Sequence, residues 1–517
     1  MRQSIILSAI AFVAIALPLV AEGADYLPDA DYVGYVTDRT LAESRRQLRL
    51  NTAAFRNPAM MPLRQDYSFG SISAGWESRR ESEPFAVETG HGNYAGSFGA
   101  SAYYHNGAST LWGEAAYSNG RRLGQRWNES ADFDRLYPYV TADSIGGDLN
   151  CERYSFSGGY AHPAGRFVWG VCGGYTALLS YRSVDPRPRD ITGDLSIAIG
   201  AGYSAGFGYT TALALYFDKF RQSSDIAFMS ELGVSKIYHL TGLGSHYYRF
   251  AGTGTSAYND CHSYGLSLNL ISRRESGAFL NADFSLTDQI HVIENLNRLP
   301  MASLRHKELN ISAGWRQSAG RHRISAILGA RIYRRHGSEN IFGDATSGTY
   351  PQIGSLEIFA DNHHSEQLRL LYELQLDRTM IGISPYASLS HRRTVYISPR
   401  RDRLIDTASV GTALYADRRF SDRMAAMLTL SVSHRIPRAS LLELPATGEA
   451  VEADLRQAVA TGFRNASCGA TSLSAEAKSD YALSRKFALG LRAGVGYTRL
   501  ASSPHALEWN AAVVFSF

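Results

Sequence analysis

Three stretches carry residue types that could do chemistry. The string "GYSAG" (202–206) fits the G-x-S-x-G pattern of a nucleophile elbow, which works only where a strand turns sharply into a helix and lifts the serine above the sheet. Its surroundings, "LSIAIGAGYSAGFGYTTALALYF", read as strand, tight turn, strand, so the match is a hairpin. In "TLSVSHR", His434 has Ser431 and Ser433 nearby, but a nucleophile needs its base within hydrogen-bond reach, and nothing in the sequence places such a partner. His434 shares the parity of Leu428, Leu430 and Val432 and reads as an interfacial histidine. The third stretch, "DNHHSE" (361–366), offers His363, His364 and Glu366 as metal ligands; adjacent residues of an extended strand point opposite ways, so it reads as a solvated loop end. The four cysteines, Cys151, Cys172, Cys261 and Cys468, show no CxxC spacing. No catalytic residue, metal site or cofactor is expected.

The elements around these residues are more informative. The chain ends in "HALEWNAAVVFSF", where Leu507, Trp509, Ala511, Val513, Phe515 and Phe517 share one face and Glu508, Asn510, Ala512, Val514 and Ser516 the other. That is the two-residue period of a strand with one oily face. The same alternation recurs at Phe487, Leu489, Leu491, Ala493, Val495 and Tyr497, at Leu368, Leu370, Tyr372, Leu374 and Leu376, and at Leu280, Ala282, Phe284 and Leu286. Each stretch has about ten residues, enough to cross a bilayer at a tilt. Composition agrees: 30 Tyr and 47 Gly against 16 Pro and 19% charged residues suit strands and turns. A net charge of +4 over 517 residues implies no nucleic-acid partner.

Candidate strands fall near 66–78, 94–105, 109–119, 152–162, 166–181, 194–205, 207–217, 261–272, 277–287, 305–317, 321–335, 364–376, 380–397, 402–416, 422–434, 469–482, 486–498 and 506–517. Tight links lie at 105–109, 162–166, 204–208, 273–277, 318–322, 377–380, 420–423 and 483–486. Longer segments cover 120–150, 218–260, 287–304, 337–362 and 436–468. Short turns at one end and long loops at the other are the plan of an all-β, transmembrane, up-and-down antiparallel β-barrel with short periplasmic turns and long extracellular loops. The count is about 18 strands, or 16 if one hairpin is misread.

Ahead of the barrel, residues 1–23 read as a signal peptide, with an apolar run from Ile5 to Val20 and small residues Ala21, Gly23 and Ala24. Residues 24–65 form an N-terminal periplasmic or plug segment with a short polar helix in 37–50, and 66–517 the barrel. Export permits disulfides; Cys151, Cys261 and Cys468 fall at predicted outer strand ends, so a rim disulfide is conceivable, while Cys172 sits mid-strand.

Signal peptide, alternating strands, short turns and the terminal "FSF" together resemble the outer-membrane β-barrel proteins of Gram-negative bacteria. "NPAMM" (57–61) is similar to the Asn-Pro-Ala stretch in the N-terminal hatch of fatty-acid-transport-type barrels and in uncharacterised barrels of Bacteroidota. The strand count departs from the fourteen of the fatty-acid transporters, which puts a hydrophobic cargo in doubt. TonB-dependent receptors fit poorly, because about 42 residues cannot supply their plug domain. The resemblance implies a place in the outer membrane among its lipids, and recognition of Phe515 and Phe517 by the barrel assembly machinery.

Parity places Asn281, Asp283, Asn310, Ser312, Arg316, Arg323, Ser325, Arg331, Arg369, Glu373, Gln375, Arg492, Glu508 and Asn510 on the lumen face. Charges at membrane depth must be wet or paired, so they line a pore or pair across a filled lumen. In the long loop, Tyr238, His239, His246, Tyr247, Tyr248 and Phe250 offer a binding surface or pack into the barrel mouth. The leading expectation is porin-like or gated transport of small solutes. The alternative is a structural or accessory subunit with an occluded lumen, in contact with other outer-membrane proteins.

Overall fold

The computed structural model describes residues 35–47, 50, 52–230, 236–252, 255–346, 348–446 and 450–517. The expected signal peptide lies outside the described residues. Eighteen antiparallel strands make the wall: β1 (Phe69–Glu81), β2 (Gly92–His105), β3 (Thr110–Gln125), β4 (Gly147–Ala164), β5 (Phe167–Tyr181), β6 (Arg187–Ser204), β7 (Tyr209–Ala227), β8 (Ser256–Ser272) and β9 (Gly277–Ile293). They continue as β10 (Leu299–Ala319), β11 (His322–Phe342), β12 (Gln352–Gln375), β13 (Thr379–Tyr396), β14 (Arg401–Arg419), β15 (Met424–Glu443), β16 (Ala470–Ala482), β17 (Ala488–Leu500) and β18 (His505–Ser516). Each pairs with its sequence neighbour, and β18 pairs back onto β1 from Ser71 opposite Ser516 to Glu81 opposite Ala506, so the sheet closes and leaves no edge.

The alternation separates two environments. Trp315, Ile324, Leu328, Leu368, Leu389, Leu414, Leu430 and Trp509 are all exposed, Leu328 by 61%, and by strand parity they stand on the outer face. A belt of large apolar side chains left bare around a closed barrel has one favourable surrounding, hydrocarbon. Among the described residues no helix is long and apolar enough to cross a membrane. The chain is therefore a transmembrane barrel of the outer-membrane class. All eight expected tight links are present, and glycines at φ 64° (Gly165) and 59° (Gly320) supply the left-handed backbone that such turns require.

The outer end departs from expectation. The strands there run past the belt, up to 24 residues in β12. Of the expected 287–304 loop only residues 294–298 connect strands, and much of 337–362 is strand. Above the belt both faces of a strand meet water, so the alternation fades while backbone pairing continues. The "DNHHSE" residues lie inside β12, not at a loop end: His363 points inward and bonds the Ser390 Oγ at 2.9 Å, while His364 has the parity of Leu368 on the outer face. No rim disulfide forms, since all four cysteines are free. "GYSAG" spans the end of β6 and the turn into β7, where the Ser204 and Thr210 hydroxyls lie 3.0 Å apart. His434 bonds Thr471 on the neighbouring strand at 2.9 Å.

Candidate functional site

The lumen is closed from below by the chain's own N-terminal segment. Helix α1 (Val36–Gln47) is very polar, and its charges find partners on the inner wall: Arg45 Nε donates to Asp417 at 2.7 Å and Asp38 accepts from Arg419 at 2.8 Å. Thr37 Oγ1 donates to the Asp422 carbonyl at 3.2 Å, and Leu50 packs against Leu371, Met380, Tyr415 and Met427. All of these partners lie near the short-turn end.

The rest of the segment crosses to the opposite wall as two 3-10 turns, Thr52–Arg56 and Pro58–Leu63. Asn57 caps the second turn, accepting from the Ala59 N–H at 3.0 Å, and donates to Asn269 at 2.8 Å. Asn269 donates to Asn281 at 3.2 Å, and Asn281 to Ser312 at 3.3 Å, so an amide ladder ties the segment to β8, β9 and β10. On the other flank the wall carries Gly170 and Gly200. A Cβ at Gly200 would stand 2.2 Å from the Asn57 Oδ1, and one at Gly170 2.6 Å from the Pro58 carbonyl carbon. Two missing side chains thus make the seat for Asn57, Pro58 and Ala59, with Met60 packed on Val168, Ala212 and Ile271.

The mouth is closed from above by three outer connections. A small sheet stands inside it, made of Val140–Ala142 from the connection after β3 and of Tyr238–Gly242 and Ser245–His246 from the connection after β7. Trp127, Leu136, Val140, Tyr238 and Leu240 pack on Phe220 and Cys261 of the wall and on Leu455 and Ala458 of helix α2 (Ala450–Ser467). Tyr238, His239, His246 and Phe250 are consequently buried. They do not form an exposed binding surface; apolar ring area in a loop at a barrel mouth is satisfied by packing. Phe250 stacks on Tyr247 at 5.2 Å, and only Tyr248, 53% exposed, faces solvent broadly. A buried charge cluster pins the connection: Arg182 donates to Glu129 and to Asp143, both at 2.9 Å. Burial beside Asp143 holds the Glu129 carboxyl well above its ordinary range. Asp143 sits below its own: burial works against this, but the Glu129 hydrogen bond, the Gly146 N–H and Arg182 outweigh it.

Between the closures lies a polar cavity of about 320 Å³, lined by Glu114, Ser155, Ser157, Thr176, Asp194, Ser196 and Asp218 from β3 to β7. Arg135, on the helical turn Phe133–Leu136, reaches in from the mouth, pairing with Asp194 at 2.7 Å and lying over the Phe220 ring at 4.0 Å. Among the described residues Glu114 and Asp218 have no hydrogen-bond or ion-pair partner. These side chains were missed in the sequence, although strand parity, applied to β3, β6 and β7 as to the later strands, places them inward opposite Leu111, Leu195 and Leu215.

The sequence-predicted lumen residues do not gather at one point. Asn281 belongs to the amide ladder. Asn310 and Arg331 both bond Glu308, at 2.9 and 2.8 Å. Glu373 accepts from Tyr415 at 2.9 Å close to α1, and Arg369 lies 5.5 Å from the Tyr386 ring. Arg316 caps the Ser272 and Arg274 carbonyls at the short-turn end, and Glu508 pairs with Arg79. Asp283, Arg323 and Arg492 stand on the inner parity of β9, β11 and β17. Phe515 stacks on Phe487 at 5.6 Å, and the Phe517 backbone exchanges two hydrogen bonds with Gly70.

Among solved structures, the chain is similar to the ferric enterobactin receptor PfeA of Pseudomonas aeruginosa, with 9% identity, TM-score 0.39, and 88% of this chain and 81% of that chain covered. It is also similar to the copper transporter OprC (8%, TM-score 0.42, 87% and 80% covered) and to the siderophore receptor PiuA of Acinetobacter baumannii (8%, TM-score 0.41, 88% and 82% covered). No curated protein matches it. A family model matches residues 58–517, from Pro58 of the docked segment to the terminal Phe517, and the chain belongs to that family, a family of unknown function (DUF6850).

Proposed function

We propose that this barrel performs gated passage of small hydrophilic solutes across the outer membrane, with its short turns in the periplasm. The observation that carries the reading is the acidic, hydroxyl-lined cavity between two closures. A lumen serving only as a packed core would not leave Glu114 exposed and Asp218 half-buried with no hydrogen-bond or ion-pair partner among the described residues, because a dry interior makes unmatched charge costly. Water or a cationic or hydroxylated solute satisfies them. The two closures differ in how they are held. The lower rests on ion pairs, an amide ladder and the packing of Leu50 and Met60, the upper on a larger apolar cluster pinned by the buried Arg182, Glu129 and Asp143, and the two share no residue of the chain. Phe515 and Phe517 serve as the assembly signal.

Planar-bilayer recording of the purified chain tests the reading. Discrete openings whose current scales with small cations support it. A silent bilayer from barrel that still shifts on heating in gel migration counts against it.

One observation favours the accessory reading. Ile341, Ile353 and Leu356 are exposed on β11 and β12 near their outer ends, beyond the belt, where apolar side chains gain by contact with another outer-membrane protein. Recovery of the silent barrel in a stoichiometric complex through that face supports this second reading.

A further inference from the structure

The outward face of β10 to β13 carries an unusual run of cations at the upper edge of the belt. On β10 the outward positions are Trp315, Ala313, Ile311 and Leu309, then Lys307 and Arg305; on β11 they are Ile324, Ala326, Leu328, Ala330 and Ile332, then Arg334 and His336. Lys307 lies directly opposite Arg334, Arg334 opposite Asn362, and Asn362 opposite Arg393. All three cations are exposed. Arg393 has Asp402 at 2.7 Å, and Arg305, one outward position above Lys307, has Asp288 at 2.7 Å. Lys307 and Arg334 have no hydrogen-bond or ion-pair partner among the described residues. Like charges facing each other across a strand pair are destabilising, and here no protein carboxylate offsets them.

We infer that Lys307 and Arg334, with Asn362 and Arg393 beside them, bind the phosphate of a phosphorylated glycolipid in the outer leaflet. Depth and chemistry agree on this partner. Leu309 and Ile332, the next outward residues toward the short turns, face hydrocarbon, so the two cations stand where head groups begin. Their alkyl stems lie along the belt and their heads reach the polar layer. A phosphate oxygen pair bridging an ammonium and a guanidinium removes the repulsion and forms charge-assisted hydrogen bonds, while the Asn362 amide donates a further one. The inference needs the outer-membrane orientation but not the transport reading.

The test is native mass spectrometry of the full chain in detergent, titrated with bisphosphorylated lipid A, with its dephosphorylated counterpart, and with inorganic phosphate. We expect one retained bisphosphorylated lipid, at least tenfold weaker retention in K307Q/R334Q, and unchanged retention in K307R and in K219Q, which alters an outward cation on β7. Equal retention by K307Q/R334Q, equal binding of the dephosphorylated lipid, or displacement of the lipid by equimolar inorganic phosphate overturns the inference. Unaltered heat-modifiable migration of each variant shows that its barrel is intact.

Discussion

Asn57 Nδ2 donates to Asn269 Oδ1 at 2.8 Å, joining a residue that precedes the barrel to the inner face of its eighth strand. The same Asn57 presents its Oδ1 to the Ala59 N–H and lies against Gly200, where a side chain would occupy its place. One amide thus shapes its own turn, docks the segment and reads the absence of a side chain on the wall. This arrangement makes the lower closure a fitted part rather than a trailing end.

Substituting Gly200 by Leu therefore displaces the 57–60 segment without touching the outer belt. Each buried hydrogen bond lost with Asn57 costs about 1–3 kcal/mol. Hydrogen exchange at residues 52–63 is expected to accelerate by tenfold or more while exchange in the wall strands stays unchanged. Equal protection in G200L and the parent would show that the seat does not hold the segment.

The belt and the lumen respond oppositely to charge. Leu328→Arg places a cation on the lipid face near mid-belt and is expected to cost about 2–4 kcal/mol in lipid unfolding experiments. Ser325→Arg, on the inner face of the same strand, is expected to cost less than about 1 kcal/mol, since the lumen there is polar. Similar losses for both would contradict the assigned parity.

The upper closure is expected to loosen as pH rises. Glu129 holds its proton above the ordinary carboxylate range, chiefly because it is buried, with Asp143 and Asp190 adding to the effect. Its contribution to stability is thus complete below that range and is lost as pH climbs through the raised value. Asp143 behaves in the opposite sense: its contribution is present above its ordinary value and is lost on strong acidification. Hydrogen exchange at residues 126–146, corrected for intrinsic rate, should quicken between mildly acidic and alkaline pH in the parent and stay flat in Glu129→Gln. The same pH profile in both would remove Glu129 from the account.

The cavity carboxylates should set ion preference. With Asp194 paired to Arg135, the charge available to a passing ion is that of Glu114 and Asp218. E114Q/D218N is expected to lower the cation-to-anion permeability ratio at least threefold, read as a shift of reversal potential in a salt gradient. An unchanged reversal potential would place the conducting path elsewhere.

What the sequence disclosed follows from which side chains face hydrocarbon. Val513, Phe515 and Leu507 announce their strand because lipid on one side and water on the other force strict alternation, and the turn residues between strands are equally explicit. Above the belt that forcing ends, so Asp361 and Asn362 fell in the expected loop 337–362 although they are paired in β12. The closures were illegible for another reason. Gly170 and Gly200 sit among other small residues on alternating strands, and only the third dimension brings Asn57 and Pro58 against them. The aromatic loop residues Tyr238 and Phe250 were visible as a group, but which way the loop folds was not: Phe220 and Cys261 lie on its own flanking strands β7 and β8, while Phe342 lies on β11, far along the chain.

The most direct test of the conduit is single-channel recording of the parent beside G200L/N57A, in which the lower closure has lost its seat and its ladder. The account predicts rare, brief openings from the parent and long, larger openings from the variant, with cation preference retained. A variant that keeps its heat-modifiable barrel, shows rapid hydrogen exchange at 52–63 and still passes no current would contradict it.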